Sequence, residues 1–277
     1  MTPFDTRICE LGEGALWHPA RQQYFWFDIL NRRLLSPGKD WRFKRMVSAA
    51  GWVDADHLLI SAEDGLFVLD LDSGAETRIS DTGADRPETR SNDGRADRQG
   101  GFWFSTMGKR AEPGAGAIYR YYLGEVRPLF QGITIPNAIS FAPDGQLAYF
   151  ADTAAGLVWA QPLDADGWPK GERRIFLDLN AEGLNPDGAT IDSEGGLWIA
   201  KWGAGAVMRY TPAGQRSHVV NVGGLHASCP AFGGADLCEM LVTTAQEGIE
   251  APDPHQGLPW LVSPGFTGLP EPRVILG

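Results

Sequence analysis

The sequence predicts an all-β fold, a six-bladed β-propeller whose four-stranded antiparallel blades surround a central tunnel, in one domain over residues 1–277. Two observations support this prediction. A short apolar run recurs six times along the chain at nearly constant spacing. The segments between the runs are rich in turn residues, with 35 Gly and 19 Pro in the chain, and sustained helical periodicity is absent.

The six runs share a strand-like pattern rich in aromatic and branched apolar residues. They read "YFWFDI", "LLISAE", "FWFSTM", "AYFADT", "LWIAKW" and "MLVTTA". The second residue of each run is taken as an anchor, which gives Phe25, Leu59, Trp103, Tyr149, Trp198 and Leu241. Successive anchors are 34, 44, 46, 49 and 43 residues apart. A unit of about 45 residues is the length of one four-stranded propeller blade.

Each unit reads as strand, turn, apolar strand, turn and strand, and six such units fill the chain. The short first spacing predicts a trimmed first or second blade. The N-terminal segment "FDTRICEL" is predicted to pair with the last blade and so to close the ring. A β-sandwich is the competing architecture, but sandwiches do not usually repeat one unit six times.

Composition argues against several classes of function. The net charge of −11, without a basic cluster, disfavours nucleic-acid binding. The first residues lack the features of a signal peptide, and no apolar run approaches the roughly 18 residues that cross a bilayer. Three cysteines without a C-x-x-C motif favour reduced thiols and a cytoplasmic location. We expect no nucleic-acid or membrane partner, and a monomer or weak homo-oligomer.

Polar residues recur at one position of the repeat, 10 to 12 residues before the anchor. The residues at this position are Glu13, Asn92, Asp93, Asn137 and Asp187. Blades related by rotation place equivalent positions at equivalent heights around the axis. These side chains are therefore predicted to converge on one mouth of the central tunnel. The equivalent positions of the second and sixth repeats, around Val47, Ser48 and Cys229, are not acidic.

Two Pro-Asp-Gly triplets illustrate how the repeat separates a turn from a site. Asp144 lies only 5 residues before its anchor Tyr149, inside the blade hairpin, and is predicted to be a turn residue. Asp187 lies 11 residues before its anchor Trp198, at the position shared by the converging residues. Asp187 is therefore predicted to be a ligand.

The converging donors are carboxylates and amides without histidine, which favours hard divalent cations such as Ca²⁺, Mg²⁺ or Mn²⁺ over a histidine-built zinc site. Glu13 and Asp187 together neutralise a doubly charged ion, and Asn137 adds a neutral carbonyl oxygen. Without a cation, carboxylates that line a tunnel repel one another. The alternative is that Asp and Asn at strand starts only cap turns.

Over essentially the whole chain, the sequence resembles the SMP-30/gluconolactonase/regucalcin family of six-bladed propeller hydrolases. Five motifs carry the resemblance, in order and at consistent spacing: "LGEGALWHPARQQYFWFDI", "RSNDGRADRQGGFWFSTMG", "IPNAISFAPDGQLAYFADT", "NPDGATIDSEGGLWIAKWG" and "CPAFGGADLCEMLVTTA". Each motif alone is a generic propeller phrase, whereas five together are specific.

The resemblance implies roles for particular residues. Glu13, Asn137 and Asp187 would bind one divalent metal ion, which in this family is Ca²⁺, Zn²⁺, Mn²⁺, Mg²⁺ or Fe²⁺, and Asp187 would also be the general base. A further group of residues would face the substrate: Arg90, Asn92 and Asp93. The family often carries a substrate contact in the loop that is "GKRAEPGAG" here, but Glu112 in this loop aligns with no assigned role.

The expected activity is therefore metal-dependent hydrolysis of a small-molecule sugar lactone, an aldono-1,4- or 1,5-lactone, to the aldonic acid. The metal would polarise the lactone carbonyl, and Asp187, or Asp93 in its place, would take a proton from the attacking water. Two alternatives stay open. One is a hydrolase of another ester on the same site, such as a non-sugar lactone or a phosphotriester, and the other is a non-enzymatic calcium-binding propeller.

Three further residues are weighed between a site and the core. Trp17 and Trp202 could stack on a sugar near the mouth, although such residues are more often blade core. Cys229 falls at the tunnel position, but as a lone cysteine without a matched histidine it is expected to be a small packing residue.

Overall fold

In the computed structural model, which describes residues 2–277, the repeats form six four-stranded antiparallel sheets. The chain begins with a short strand, β1 (Thr2–Pro3). Blade one contains β2 (Gly12–His18), β3 (Gln23–Asp28), β4 (Arg33–Ser36) and β5 (Lys39–Arg42). Blade two contains β6 (Val47–Trp52), β7 (His57–Ala62), β8 (Gly65–Asp70) and β9 (Glu76–Ser80). Blade three contains β10 (Thr89–Ala96), β11 (Phe102–Gly108), β12 (Gly116–Tyr122) and β13 (Glu125–Ile133).

The second half of the chain repeats the pattern. Blade four contains β14 (Pro136–Phe141), β15 (Leu147–Asp152), β16 (Leu157–Pro162) and β17 (Arg174–Asp178). Blade five contains β18 (Asn185–Ile191), β19 (Leu197–Trp202), β20 (Ala206–Tyr210) and β21 (Arg216–Asn221). Blade six contains β22 (His226–Gly233), β23 (Glu239–Ala245) and β24 (Trp260–Val262), with β1 as its fourth strand. The predicted six-bladed propeller is confirmed.

Helices contribute little to this fold. The described residues contain two 3-10 helices, Thr153–Ala155 and Asn180–Glu182. Across residues 2–277, no helix combines the length and the apolar character that crossing a membrane requires.

The N-terminus closes the ring, as predicted, but through different residues. Thr2 pairs with Leu261 and Pro3 pairs with Trp260, so the closing strand precedes the segment "FDTRICEL". That segment runs beside blade six and is joined to it by isolated backbone hydrogen bonds. The amide of Phe4 donates to the carbonyl of Pro259 at 2.8 Å, and the amide of Cys9 donates to the carbonyl of Gly257 at 2.9 Å. Blade one keeps four strands, and its shortness lies in β4 and β5, of 4 residues each.

The first strand of each blade packs against the first strands of its neighbours, so these six strands line the tunnel. Each of them pairs with its second strand through a register shift, and the shifts fall at Glu13/Leu16, Val47/Ala49, Ser91/Gly94, Asn137/Ser140, Pro186/Ala189 and Ala227/Pro230. Such β-bulges bend a strand and re-aim side chains next to active sites. The residues that sequence analysis placed at one position of the repeat therefore lie in, or directly beside, a bulge.

Two of the bulges contain residues in the left-handed region. Gly14 has a φ of 56°, and a Cβ atom there would meet the carbonyl oxygen of Ser48 at 2.2 Å, so glycine is required on both counts. Ala138, directly after Asn137, has a φ of 55°. A non-glycine residue adopts this conformation only at a cost, so the surrounding structure must determine the backbone at Ala138.

The six anchors are all buried and form the core between adjacent blades. Trp103 of blade three packs edge-on against Phe141 of blade four, with ring centroids 5.3 Å apart. Trp198 of blade five contacts Phe232 of blade six in the same way, at 6.0 Å. Aromatic packing between blades thus fixes the relative positions of the six first strands, and with them the positions of the tunnel residues.

The C-terminal residues 263–277 run across one end of the tunnel. The amide of Gly268 donates to the carbonyl of Leu237 at 2.8 Å, and the amide of Val274 donates to the carbonyl of Trp52 at 2.9 Å. Glu271 forms a largely buried ion pair with Arg95 of β10, at 3.0 Å. This segment therefore covers the end of the tunnel opposite the cavity described next.

Candidate metal centre and active site

A cavity of ≈ 560 Å³ opens at the other end of the tunnel. Its walls include five of the six predicted site residues, Glu13, Arg90, Asn92, Asn137 and Asp187. These residues come from β2, β10, β14 and β18, in four different blades. The volume falls in the range of ordinary small-molecule sites. The structure therefore brings together, in one concave site, residues that are scattered along the sequence.

Glu13 and Asp187 meet across the tunnel from opposite parts of the chain. Both side chains are buried, and their carboxyl groups lie within hydrogen-bonding reach of each other. The amide of Gly14 donates to Oε2 of Glu13 at 2.8 Å, a bond that the bulge makes possible. Asp187 also lines the cavity, but no backbone amide within residues 2–277 donates to its carboxyl group.

The electrostatics of this pair are those of two carboxyls that lack a countercharge. Burial, and next the charge of Asp93, raise the pKa of Glu13 to about 8. Burial, and next the charge of Glu13, hold the pKa of Asp187 well above its usual range. Arg90 acts in the opposite direction on both groups, but as a smaller influence. A divalent cation between the two carboxylates would relieve this repulsion.

Asn137 supplies the amide of the predicted ligand set. Its Oδ1 accepts from Nδ2 of Asn92 at 3.0 Å, and its Nδ2 donates to Oγ1 of Thr153 at 2.8 Å. One lone pair of Oδ1 remains for a further partner, because an amide oxygen accepts two hydrogen bonds. The side chain is buried, so its orientation is fixed by these contacts.

The donor set fits a hard divalent cation. It consists of two carboxylates and one amide oxygen, which are ligands that Ca²⁺, Mg²⁺ and Mn²⁺ accept. No group of three or more His, Cys, Asp and Glu residues that could hold a metal occurs within residues 2–277. That observation is consistent with the predicted set, because one of its three members is an asparagine.

Arg90 lies in the cavity wall and is buried. Its Nη1 donates to the carbonyl of Ser91 at 2.9 Å and to Oδ1 of Asn92 at 2.7 Å. Burial lowers the pKa of Arg90, and the nearby Glu247, Glu13 and Asp187 act against that change. Within residues 2–277, the hydrogen bonds of this guanidinium use Nη1 alone, so its other N–H groups are available to a molecule in the cavity.

Asp93 follows Asn92 in the same bulge but is oriented differently. Its Oδ1 accepts from the amide of Gly94 at 2.9 Å, and its Oδ2 accepts from the amide of Ile139 at 2.7 Å. The side chain is buried and does not line the cavity, and burial raises the pKa of the carboxyl. Its predicted contact with substrate stays a prediction, and this placement favours a role in linking β10 to β14.

The structure also separates the residues that sequence analysis weighed between site and core. Trp202 lines the cavity and stacks on His226, with ring centroids 4.1 Å apart. Trp17 packs in the core against Tyr24. Cys229 is buried beside the hub, where burial and then Glu13 hold the pKa of its thiol well above the usual range.

The structure also shows that two acidic residues in loops, Asp144 and Glu112, do not line the cavity. Asp144 is a turn residue, as predicted, and accepts from the amide of Gln146 at 3.0 Å. Glu112 is bonded to the backbone and side chain of Arg110 and does not line the cavity.

Sequence analysis missed several polar residues of the cavity. They are Lys109, Arg110, Thr153, Asn185 and Glu247. Lys109 pairs with Glu63 of the neighbouring blade at 2.7 Å, whereas the Arg110 side chain is 89% exposed. Asn185 is the first residue of β18, and the other four follow the C-terminal ends of strands. None of the five lies at the repeat position 10 to 12 residues before an anchor. Lys109 and Arg110 are adjacent basic residues directly after "FWFSTMG", and this pair could have predicted a positively charged part of the cavity wall.

The chain matches the family model described as SMP-30/Gluconolactonase/LRE-like region over residues 11–246. It is 38% identical to a putative sugar lactone lactonase of Rhizobium meliloti, with 93% of this chain and 92% of that protein covered. It is 35% identical to an L-arabinolactonase of Azospirillum brasilense, with 97% and 93% covered.

Among solved structures, a protein described as a calcium-binding protein, regucalcin, from Agrobacterium tumefaciens superimposes with a TM-score of 0.96 at 38% identity. The superposition covers 99% of this chain and 97% of that one. The likeness extends through every blade. The chain belongs to the SMP-30/gluconolactonase/LRE-like family.

Proposed function

We propose that this protein hydrolyses a sugar lactone to the corresponding aldonic acid in the cavity at the tunnel mouth. The observation that carries the proposal is the convergence of Glu13, Asn137 and Asp187 in the wall of one cavity of ≈ 560 Å³. Relatives over nearly the full length, including the sugar lactone lactonase and the L-arabinolactonase, support the reaction class.

Glu13, Asn137 and Asp187 would hold the divalent cation, and the candidates are Ca²⁺, Mg²⁺, Mn²⁺, Zn²⁺ and Fe²⁺. Such a cation supplies Lewis-acid polarisation of the lactone carbonyl and a countercharge for the oxyanion that develops on it. The calcium-binding description of the Agrobacterium tumefaciens protein supports Ca²⁺ as the first ion to test.

Asp187 is the proposed general base. It lines the cavity, whereas Asp93 is not among the lining residues and both of its oxygens accept hydrogen bonds from backbone amides. Asp187 can therefore take a proton from the water that attacks the carbonyl carbon, and it can return the proton to the ring oxygen as the acyl C–O bond of the lactone breaks. General-base assistance of this kind is worth about 10²–10⁴-fold in rate.

Arg90 and Lys109 are the proposed donors to the substrate. The N–H groups of Arg90 outside Nη1 are available to ring hydroxyls, and the planar guanidinium also matches the carboxylate that forms on ring opening. Lys109 lies in the same wall. Trp202 also lines the cavity and offers an indole surface to the apolar face of the sugar.

The proposal is tested by following acid release from a panel of aldono-1,4- and 1,5-lactones, with paraoxon-like phosphotriesters as the comparison. Protein stripped with EDTA and then reloaded with one metal at a time should recover activity only on the lactones. Turnover confined to phosphotriesters would replace the lactonase by another ester hydrolase. Tight Ca²⁺ binding without turnover of any ester would leave a calcium-binding propeller. A cytoplasmic location and a monomeric or weakly associating state stay predictions.

A further inference from the structure

A continuous chain of side-chain hydrogen bonds crosses three blades along the cavity wall. Arg90 donates to Asn92 at 2.7 Å, Asn92 donates to Asn137 at 3.0 Å, and Asn137 donates to Thr153 at 2.8 Å. Thr153 in turn donates to the carbonyl oxygen of Pro186 at 2.6 Å. The last acceptor immediately precedes Asp187, so the chain connects the two predicted ligands of blades four and five.

The groups at the ends of this chain fix its direction. The carbonyl of Pro186 can only accept, so the single hydroxyl proton of Thr153 is committed to it. The hydroxyl can then meet Asn137 only as an acceptor, which places Nδ2, and not Oδ1, of Asn137 next to Thr153. A guanidinium can only donate, so Arg90 likewise fixes Oδ1 of Asn92 towards itself.

Asn92 completes the orientation from the other side. Its Nδ2 donates both to the carbonyl oxygen of Pro136, at 2.9 Å, and to Oδ1 of Asn137. The amide of Asn137 is therefore held at both of its polar atoms. Its nitrogen is held by Thr153, so its oxygen is the atom with a lone pair left for a cation. Asn137 and Asp187 both line the cavity. A reversed amide would present N–H groups to a cation, which would repel it.

We propose that Thr153 is a positioning residue, which sets the orientation of the Asn137 amide so that its oxygen can bind the divalent cation. This inference rests on the proposed function. It assigns a role to a residue that lies outside the repeat position of the ligands, at the start of the 3-10 helix Thr153–Ala155.

The backbone around Thr153 is itself held in place, which a positioning role requires. Its amide donates to the carbonyl of Ile135 at 3.0 Å. The preceding Asp152 is buried and accepts from the amides of Thr134, Ile135 and Ala154. The β-branched side chain of threonine has few χ1 rotamers, so a fixed backbone also fixes the hydroxyl.

The experiment measures metal binding directly, by isothermal titration of EDTA-stripped protein with Ca²⁺ and with Mn²⁺. Thr153→Val keeps the shape of the side chain but removes the hydroxyl, so the Asn137 amide is no longer held. We expect the Kd for the metal to rise by about 10–100-fold, the usual effect of losing an outer-shell partner of a ligand. Thr153→Ser keeps the hydroxyl and should bind close to the wild type.

Thr244→Val is the matched control. Its hydroxyl is also buried and donates to a backbone carbonyl, that of Leu258, at 2.7 Å, but Thr244 does not line the cavity. We expect it to lose stability without a change in metal affinity. Thr153→Ala, which carries no hydroxyl but leaves more room, gives the same measurement if Thr153→Val does not fold.

The outcomes separate this inference from the proposed function. If the wild-type protein binds no divalent metal, the proposed function fails. If the wild type binds and a folded Thr153→Val or Thr153→Ala protein binds equally well, the proposed function stands and the role of Thr153 is wrong. Equal losses in the Thr153→Val and Thr153→Ser proteins would also overturn it, because the hydroxyl would then not be the cause.

Discussion

Two pairs of buried carboxylates in this protein have opposite surroundings. Asp97 and Asp192 lie in the blade hairpins, and each is matched by a buried arginine and by backbone amides. Oδ1 of Asp97 accepts from the amides of Gln99 and Gly101, at 3.0 and 2.8 Å, and Oδ2 accepts from Nε of Arg120 at 2.7 Å.

Glu13 and Asp187 lie at the hub and face each other, with one backbone donor to Glu13 and the more distant charge of Arg90. The difference shows that burial does not by itself mark a functional acid. The hairpin carboxylates are satisfied within the protein and stabilise the blades. Glu13 and Asp187 lack such a partner, and the proposed cation would supply the missing countercharge.

The largest expected effect concerns catalysis at the hub. Asp187→Asn removes the proposed base and one charge of the metal site, so we expect kcat on the preferred lactone to fall by about 10²–10⁴-fold. Asp144→Asn alters the other Pro-Asp-Gly triplet, which is only a turn, and should leave kcat unchanged. Steady-state kinetics with excess metal measure both. A folded and fully active Asp187→Asn enzyme would remove Asp187 from the mechanism.

The hairpin acids should show the reverse behaviour. Asp97→Asn removes the charge that compensates Arg120, and both side chains are fully buried. Breaking one side of a buried ion pair typically costs about 3–5 kcal/mol, so the free energy of unfolding in urea should fall by that amount. Activity per folded molecule should be retained. Arg127→Ala breaks an exposed pair with Glu125 and serves as the control, with an expected loss of at most about 1 kcal/mol. A wild-type midpoint for Asp97→Asn would refute the distinction between hub and hairpin acids.

The hub side of this contrast could be predicted from the sequence, because the position within the repeat gives the position along each blade. Counting back from the anchors predicted six blades, and it placed Glu13, Asn137 and Asp187 together at one mouth of the tunnel, where all three line the cavity. The same spacing correctly assigned Asp144 to a turn. A position relative to a buried anchor carries this information because each blade repeats one backbone geometry.

Spacing from the anchor locates a residue along its strand to within about one position. Within that uncertainty, the geometry of the bulge determines which side chain lines the cavity. Asn92 and Asp93 are consecutive and share one bulge, yet Asn92 lines the cavity and Asp93 bonds backbone amides. Sequence spacing does not show which of the two is turned inwards. Strand ends and loops have no repeat, so Lys109 and Glu247 were missed. The closing strand Thr2–Pro3 is too short to produce a pattern.

Two buried basic side chains, Arg120 and Lys201, differ in the same way as the two pairs of carboxylates. Arg120 has its carboxylate, whereas Lys201 lies fully buried in β19, near the Tyr210 ring, with no hydrogen-bond partner for Nζ among the described residues. Burial lowers the pKa of Lys201 from 10.5 to about 7. The unfolded chain therefore binds a proton that the folded chain lacks between these values, so the contribution of Lys201 to stability rises with pH across that window.

Lys201→Met removes this dependence. We expect the variant to be more stable than the wild type near pH 7, with the advantage shrinking by up to about 1.4 kcal/mol per pH unit towards pH 10. Urea unfolding at several pH values measures the difference, and Lys170→Met, at an exposed lysine, is the control. A constant difference between Lys201→Met and the wild type across this range would show that Lys201 is charged in the folded protein or already paired.

The smallest expected effect tests, by thermal stability and not by activity, whether Glu13 and Asp187 lack a countercharge. If Glu13 and Asp187 are short of a countercharge, a bound divalent cation should stabilise the fold, by about 2.7 kcal/mol at a free metal concentration 100 times its Kd. Glu13→Gln leaves one carboxylate in the pair, so the EDTA-stripped variant should unfold no earlier than the stripped wild type, and added Ca²⁺ should give it a much smaller gain. Thermal unfolding with and without metal measures both quantities. Glu194→Gln, at an exposed acid of the blade-five hairpin, should respond to metal like the wild type. If the stripped Glu13→Gln protein is strongly destabilised, Glu13 is satisfied within the protein in the same way as Asp97, and the contrast between hub and hairpin carboxylates fails.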